Sequence, residues 1–140
     1  MGNLLITGGA GFLGSSLAKR AREKDWNVRI LDNLSTGLET TTEMLKTMGI
    51  EVILGDIRDV EVLNSAVQGC DAVVHLAAQV SVPLSVSNPE ETMSINVDGT
   101  SKVIAACLKH GVKRLVMASS AAVYGEADNL PLKEEDVGQG

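Results

Sequence analysis

The sequence predicts an α/β fold, a doubly wound parallel sheet of about five strands in the order 3-2-1-4-5. Three observations carry this. Short runs that are apolar nearly throughout alternate with longer segments of helical period, as in sheets covered by helices on both faces. Helix start and stop signals fall between those runs: Asp59 and Asn88-Pro89 before a periodic segment, and Gly49, Gly69 and Gly111 after one. Finally, a glycine-rich turn joins the first run to the first periodic segment.

Strands are expected at residues 4–7, 28–31, 51–54, 72–75 and 115–118. The first helix is expected over 12–24, where Leu13, Leu17 and Ala21 recur every four residues and set an apolar stripe against the sheet. A weaker helix is expected over 38–48, because Thr40, Thr41 and Thr42 are β-branched and lower its propensity. Asp59 caps a third, running to Gln68. The fourth is the best marked. Asn88 is its N-cap, Pro89 its first helical residue, Glu91 is placed to complete a capping box, and Gly111 ends it. Its roughly 22 residues would span roughly 33 Å. Met93, Val97, Ile104 and Leu108 form one apolar stripe along it, and Val103 and Cys107 begin another.

At 140 residues with 44% hydrophobic and 21% charged content, the chain has the size of one ordinary domain that needs neither disulfide nor metal to hold a core. Residues 1–125 read as that domain, and 126–140 as a polar, acidic, flexible tail. The net charge of -6 argues against nucleic acid as a partner. No apolar run approaches the length of a membrane span. Cys70 and Cys107 belong to no CxxC or Cys/His cluster, which fits reduced thiols in a cytoplasmic protein. The two histidines are too few for a metal site.

The turn Thr7-Gly8-Gly9-Ala10-Gly11-Phe12-Leu13-Gly14 lies where a dinucleotide pyrophosphate meets a helix N-terminus. Gly8 would permit the turn, Gly11 the approach of phosphate, and Gly14 close packing of helix on strand. No Gly-Lys-Ser/Thr follows, so this is not a P-loop. Asp32 closes the second strand, where an acid grips the adenosine ribose and repels a 2′-phosphate. NAD is therefore expected over NADP, on a Rossmann-type fold.

Five blocks in order, TGGAGFLG at 7–14, DNLSTG at 32–37, GDIRD at 55–59, HLAA at 75–78 and SSAAVYG at 119–125, together with NVDGT at 96–100, resemble the extended short-chain dehydrogenase/reductase family. Within it, the stretch from His75 to Thr100 is most similar to UDP-sugar 4-epimerases such as UDP-glucose 4-epimerase, with dTDP-glucose 4,6-dehydratases close behind. The resemblance implies an NAD that takes a hydride from a sugar carbon and returns it, a homodimer, and a UDP- or dTDP-sugar as substrate of the full-length protein. Residue by residue, it implies that Asn33 and Ser35 lie on the adenosine side, and that Asp56 and Ile57 contact adenine. Leu76, Ala77 and Ala78 would run under the nicotinamide half, Asn96 would fix the loop after the fourth strand, and Ser81 would lie near substrate. With Gly8, Gly11, Phe12, Leu13, Gly14 and Asp32 these make up the cofactor set.

Ser120 matches the family serine that hydrogen-bonds the sugar hydroxyl. The family's base belongs to a Tyr-x-x-x-Lys motif, which this sequence does not contain: Tyr124 is its one tyrosine, and Asp128 stands four residues on. The expectation is therefore the NAD-binding domain of an NAD-dependent sugar-nucleotide epimerase or dehydratase, without its base and substrate domain. A non-catalytic NAD-binding or sensing module, or a subunit completed by another chain, are the alternatives.

Overall fold

The structure, a computed structural model, describes residues 2–125 and 130–137. Strands β1 (Asn3–Thr7), β2 (Asn27–Asp32), β3 (Glu51–Leu54), β4 (Ala72–His75) and β5 (Arg114–Met117) form one parallel sheet in the order β3-β2-β1-β4-β5. Helices α1 (Phe12–Arg22), α2 (Glu39–Thr47), α3 (Val60–Val67), α4 (Val82–Ser87), α5 (Pro89–Met93) and α6 (Thr100–Lys109) connect them, with a π-helical turn at Ser94–Gly99 and 3₁₀ turns at Ala121–Tyr124 and Glu134–Asp136. Of the tail expected at 126–140, residues 126–129 and 138–140 lie outside the described residues.

The apolar character of the strands has a direct cause. Successive side chains of a strand point to opposite faces. Leu5 accordingly enters one core with Leu31, Leu63, Val67, Val73, Val103 and Cys107, under α3 and α6. Leu4 and Ile6 enter the other with Ile30, Ala18 and Leu45, under α1 and α2. Both faces are covered, so every position of β1 after Asn3 is buried.

Two helices depart from the sequence expectation. In α1 the buried residues are Gly14, Ala18 and Ala21, with Leu17 partly covered, while Leu13 is 65% exposed. Close approach selects the small-residue stripe: a Cβ on Gly14 would lie 2.2 Å from the Gly8 carbonyl oxygen, so a leucine side chain has no room on that line. The expected single helix from Pro89 is instead α5, the π turn and α6. A π turn adds a residue to the helical repeat and rotates everything beyond it. Val103, Ala106 and Cys107 face the core as a result, and Met93, Val97 and Leu108 are exposed. Gly99 ends that turn against Ile57, where a Cβ would meet Ile57 Cδ1 at 2.6 Å. The capping box is half formed: Asn88 Oδ1 accepts from the Glu91 N–H at 3.3 Å, but the Glu91 carboxylate reaches Arg58 instead.

Candidate functional site

The carboxyl ends of the strands collect the expected residues along one edge: the glycine turn after β1, Asp32 at the end of β2, Asp56 and Ile57 after β3, Leu76 to Ala78 after β4, and Ser120 after β5. The chain reverses direction across the sheet between β1 and β4, which opens the crevice where ligands of such sheets bind.

The glycine turn is shaped by contacts that exclude side chains. Gly8 has φ of 69°, and a Cβ there would lie 2.7 Å from the Ala77 N and 2.9 Å from the Leu76 carbonyl carbon. Gly9, not singled out in the sequence, packs on Ile30, whose Cβ would be 2.3 Å from an added one. Gly11 is open by comparison, the Gly8 oxygen lying 3.3 Å from where its Cβ would be. Gly11 is also the N-cap of α1, without a side-chain cap and with no acid in the first turn. The first amides of the helix have no carbonyl one turn back, and the positive end of its dipole is left uncompensated. Phe12 is 87% exposed beside them.

Asp32 is tied to this turn. Its Oδ2 accepts from the Ala10 N–H at 2.8 Å and its Oδ1 from the Leu34 N–H at 2.8 Å, while Gly8 N–H donates to the Leu31 carbonyl at 2.8 Å. Arg29, on the same strand, pairs with Glu51 at 2.7 Å and donates to the Ala66 carbonyl. It offers no second charge beside Asp32.

Across the β2–β3 loops, Asn33 Nδ2 donates to Asp56 Oδ2 at 3.1 Å, and Ser35 N–H donates to Asn33 Oδ1. Arg58 grips the same carboxylate through Nε on Oδ1 at 2.9 Å and Nη2 on Oδ2 at 2.7 Å. Its backbone N–H adds a third bond to Oδ1 at 2.8 Å. These bonds from Arg58 hold the Asp56 carboxyl down at about 2 against the opposing effect of burial. The guanidinium is in turn pushed up from its ordinary value by Asp56.

Under the β4 end, hydrogen-bond counting points to one tautomer of His75. Thr7 Oγ1 accepts from the Leu76 and Ala77 N–H groups, each at 3.3 Å. With both lone pairs used, its hydroxyl donates to His75 Nδ1 at 2.6 Å, and His75 Nε2–H donates to Thr100 Oγ1 at 2.9 Å. Burial pushes the pKa of the ring down. The π turn adds a clasp from the other side: Asn96 Oδ1 accepts from the Gln79 N–H at 2.8 Å and Asn96 Nδ2 donates to the Gln79 carbonyl at 2.9 Å. Ser81 caps α4, its Oγ accepting from the Leu84 N–H.

Ser120 stands apart from these networks. It is exposed and caps the 3₁₀ turn, Oγ accepting from the Ala122 N–H at 3.1 Å. Arg58, Thr7, His75 and Gln79 were not singled out for the site in the sequence. An arginine two residues beyond Asp56 was the one local signal available; the others depend on partners far along the chain.

Residues 4–140 match the model of the NAD dependent epimerase/dehydratase family. The chain belongs to that family. UDP-glucose 4-epimerase from Streptomyces lividans is 39% identical over 136 residues, covering 95% of this chain and 40% of that protein. A UDP-glucose 4-epimerase from Stenotrophomonas maltophila, solved with NAD and formylated UDP-arabinopyranose, superposes with a TM-score of 0.88 at 33% identity, covering 96% of this chain and 41% of the other. A dTDP-glucose 4,6-dehydratase from Streptomyces venezuelae, solved with NAD, gives 0.83 at 32% identity over 91% of this chain and 42% of that one. The chain thus spans about two fifths of the length of the family members it matches. Among the described residues, no helix is long and apolar enough to cross a membrane.

Proposed function

We propose that this chain is the NAD-binding domain of a sugar-nucleotide epimerase or dehydratase of the UDP-glucose 4-epimerase type. One observation carries the reading: the uncapped N-terminus of α1 opens between two glycines that admit no side chain, with the Asp32 carboxylate fixed to the same turn. That arrangement suits a pyrophosphate beside a ribose.

In this reading Gly11, Phe12 and Leu13 present backbone to the pyrophosphate, Gly8 making the turn and Gly14 the close helix–strand packing that set them there. Asp32, Asn33 and Ser35 serve the adenosine ribose side, and Asp56 and Ile57 the adenine. Leu76, Ala77 and Ala78 line the nicotinamide side, held from below by Thr7 and from above by Asn96 through Gln79. NAD, when bound, supplies the hydride acceptor for a sugar carbon. Ser120 orients the sugar hydroxyl, its own proton being free because Oγ serves as acceptor to Ala122 N–H. The proton acceptor for that hydroxyl is not supplied by a Tyr-x-x-x-Lys motif of this sequence.

Titration calorimetry with NAD tests the reading, and a chain that gives no saturable heat overturns it. Incubation with NAD and UDP- or dTDP-sugars should leave the sugars unchanged by chromatography, since a missing general base alone costs about 10² to 10⁴ in rate. Epimerisation abolished by Tyr124→Phe would make Tyr124 the base. Activity that appears only with a second polypeptide would support a subunit completed by another chain. The exposed face of Met93, Val97 and Leu108 is assigned in the same reading to a second copy in a homodimer. Sedimentation as a monomer at high micromolar concentration would remove that assignment.

A further inference from the structure

Past the end of β4, the Leu76 N–H still donates to a strand carbonyl, that of Thr7, at 3.1 Å. The next amide does not. The Ala77 N–H lies against the glycine turn, where a Cβ on Gly8 would come within 2.7 Å of its nitrogen. Among the described residues its one acceptor is Thr7 Oγ1, at 3.3 Å. The same oxygen takes a second share of the Leu76 N–H, also at 3.3 Å. A side-chain hydroxyl thus extends the pairing of β1 with β4 by one residue, into the loop assigned to the nicotinamide side.

That extension depends on where the hydroxyl proton goes. A threonine hydroxyl has one proton and two lone pairs. Leu76 and Ala77 take both lone pairs, and Thr7 is fully buried, so the proton needs an acceptor from the protein. His75 Nδ1 stands 2.6 Å away and is that acceptor. With a proton on Nδ1, three N–H groups would converge on an oxygen that has two lone pairs, and the hydroxyl proton would stay unpaired in the interior, which is costly. Thr100 Oγ1, at the start of α6, favours the other arrangement: it lies 2.9 Å from Nε2 and accepts the N–H of a ring protonated there.

We propose that His75 is a positioning residue for the nicotinamide half of the cofactor: by accepting the Thr7 hydroxyl proton it turns the Thr7 lone pairs onto the Leu76–Ala77 peptide and fixes the orientation of that peptide. The N–H and C=O of a trans peptide point in opposite directions, so an Ala77 N–H held on Thr7 sends the Leu76 carbonyl away from β1. Histidine does this from inside the sheet, without touching the ligand. The inference rests on the assignment of Leu76, Ala77 and Ala78 to the nicotinamide side.

The test has two readings. The first is the ratio of NAD affinity to ADP affinity by calorimetry, which isolates the nicotinamide half and is internal to each variant, so partial loss of folded protein does not mimic an effect. His75→Phe, which keeps a ring but no acceptor, should lower that ratio about three- to tenfold, as for one neutral hydrogen bond. His75→Asn, whose amide oxygen takes the place of Nδ1, should recover most of it. Thr7→Val should repeat the loss and Thr7→Ser the recovery. The second reading is hydrogen exchange without ligand: in His75→Phe the Ala77 amide should exchange faster, while that of Leu76, still bonded to the Thr7 carbonyl, should change less. An unchanged ratio in His75→Phe, no recovery in His75→Asn, or equal acceleration of both amides would each overturn the proposal, as would a long-range ¹H–¹⁵N spectrum of the unsubstituted chain that puts the His75 proton on Nδ1. If the unsubstituted chain binds neither NAD nor ADP, the NAD-binding reading falls instead, and this inference with it.

Discussion

The interior of the sheet and its β5 edge are built differently. On the β2–β1 side, the strands are buried on both faces and their carboxyl ends are laced to one another by Asp32, Asn33 and Asp56. At the β5 edge, Val116 is 50% and Met117 45% exposed, and Ser120 lies outside every network described above. The side proposed for adenosine is completed by this chain's own residues. The side proposed for sugar chemistry is not: among the described residues its apolar groups have little to pack on. Position in the sheet, rather than strand propensity, separates the two, because β5 at the edge and β1 in the middle are similarly apolar in sequence.

The largest effect should come from probing that difference directly. Leu31→Ala removes a fully buried side chain from the core beneath the sheet, at a cost of about 2–5 kcal/mol. Met117→Ala, half in solvent, should cost less than about 1 kcal/mol. Urea unfolding of both variants measures the contrast, and equal losses would break it.

Within the glycine turn the same logic applies on a smaller scale. Gly14→Ala forces a Cβ onto backbone at 2.2 Å and should destabilise the fold by about 1–3 kcal/mol, lowering the melting temperature and NAD affinity together. Gly11→Ala meets its nearest neighbour at 3.3 Å; thermal unfolding should change little while NAD binding weakens. If both lose stability equally, the division between packing glycine and ligand-facing glycine fails.

Asp32 provides the next step down. NAD should bind at least about tenfold more tightly than NADP, worth about 1.4 kcal/mol, and Asp32→Ala should narrow that gap. Equal affinities in the unsubstituted chain would remove Asp32 as the selecting acid.

Acid should also reach the two networks separately. His75 has its pKa lowered by folding, so the folded state binds fewer protons than the unfolded chain. Its contribution is present above the ordinary value of 6.5 and is lost as pH falls below it. His75→Gln should flatten the stability profile there. Asp56, also lowered, keeps its contribution above 3.8 and loses it as pH falls toward about 2. With a partly solvated pair this is of order 1 kcal/mol. Arg58→Met should remove that acid limb and leave the histidine one, as followed by denaturant titration across pH.

The sequence by itself determined the strand runs, the sheet order, the glycine turn and the acid after β2. Each is written in a short window: strands covered on both faces must be apolar throughout, and a left-handed residue beneath Ala77 must be glycine at Gly8. Asn96 was placed at the loop after β4 by resemblance, and its clasp on Gln79 is visible in the structure. Tertiary structure alone decided which of two neighbouring stripes α1 buries, because Leu13 and Ala18 satisfy the same period and only the distance to the sheet separates them. It also decided the π turn, which ends with Gly99 seated on Ile57. Glu91, which anchors Arg58, and Thr7 and Thr100, which bracket His75, lie 25 to 68 positions from them in sequence. Such pairs leave no periodic trace along the chain, and only the closed fold brings the groups within hydrogen-bond reach.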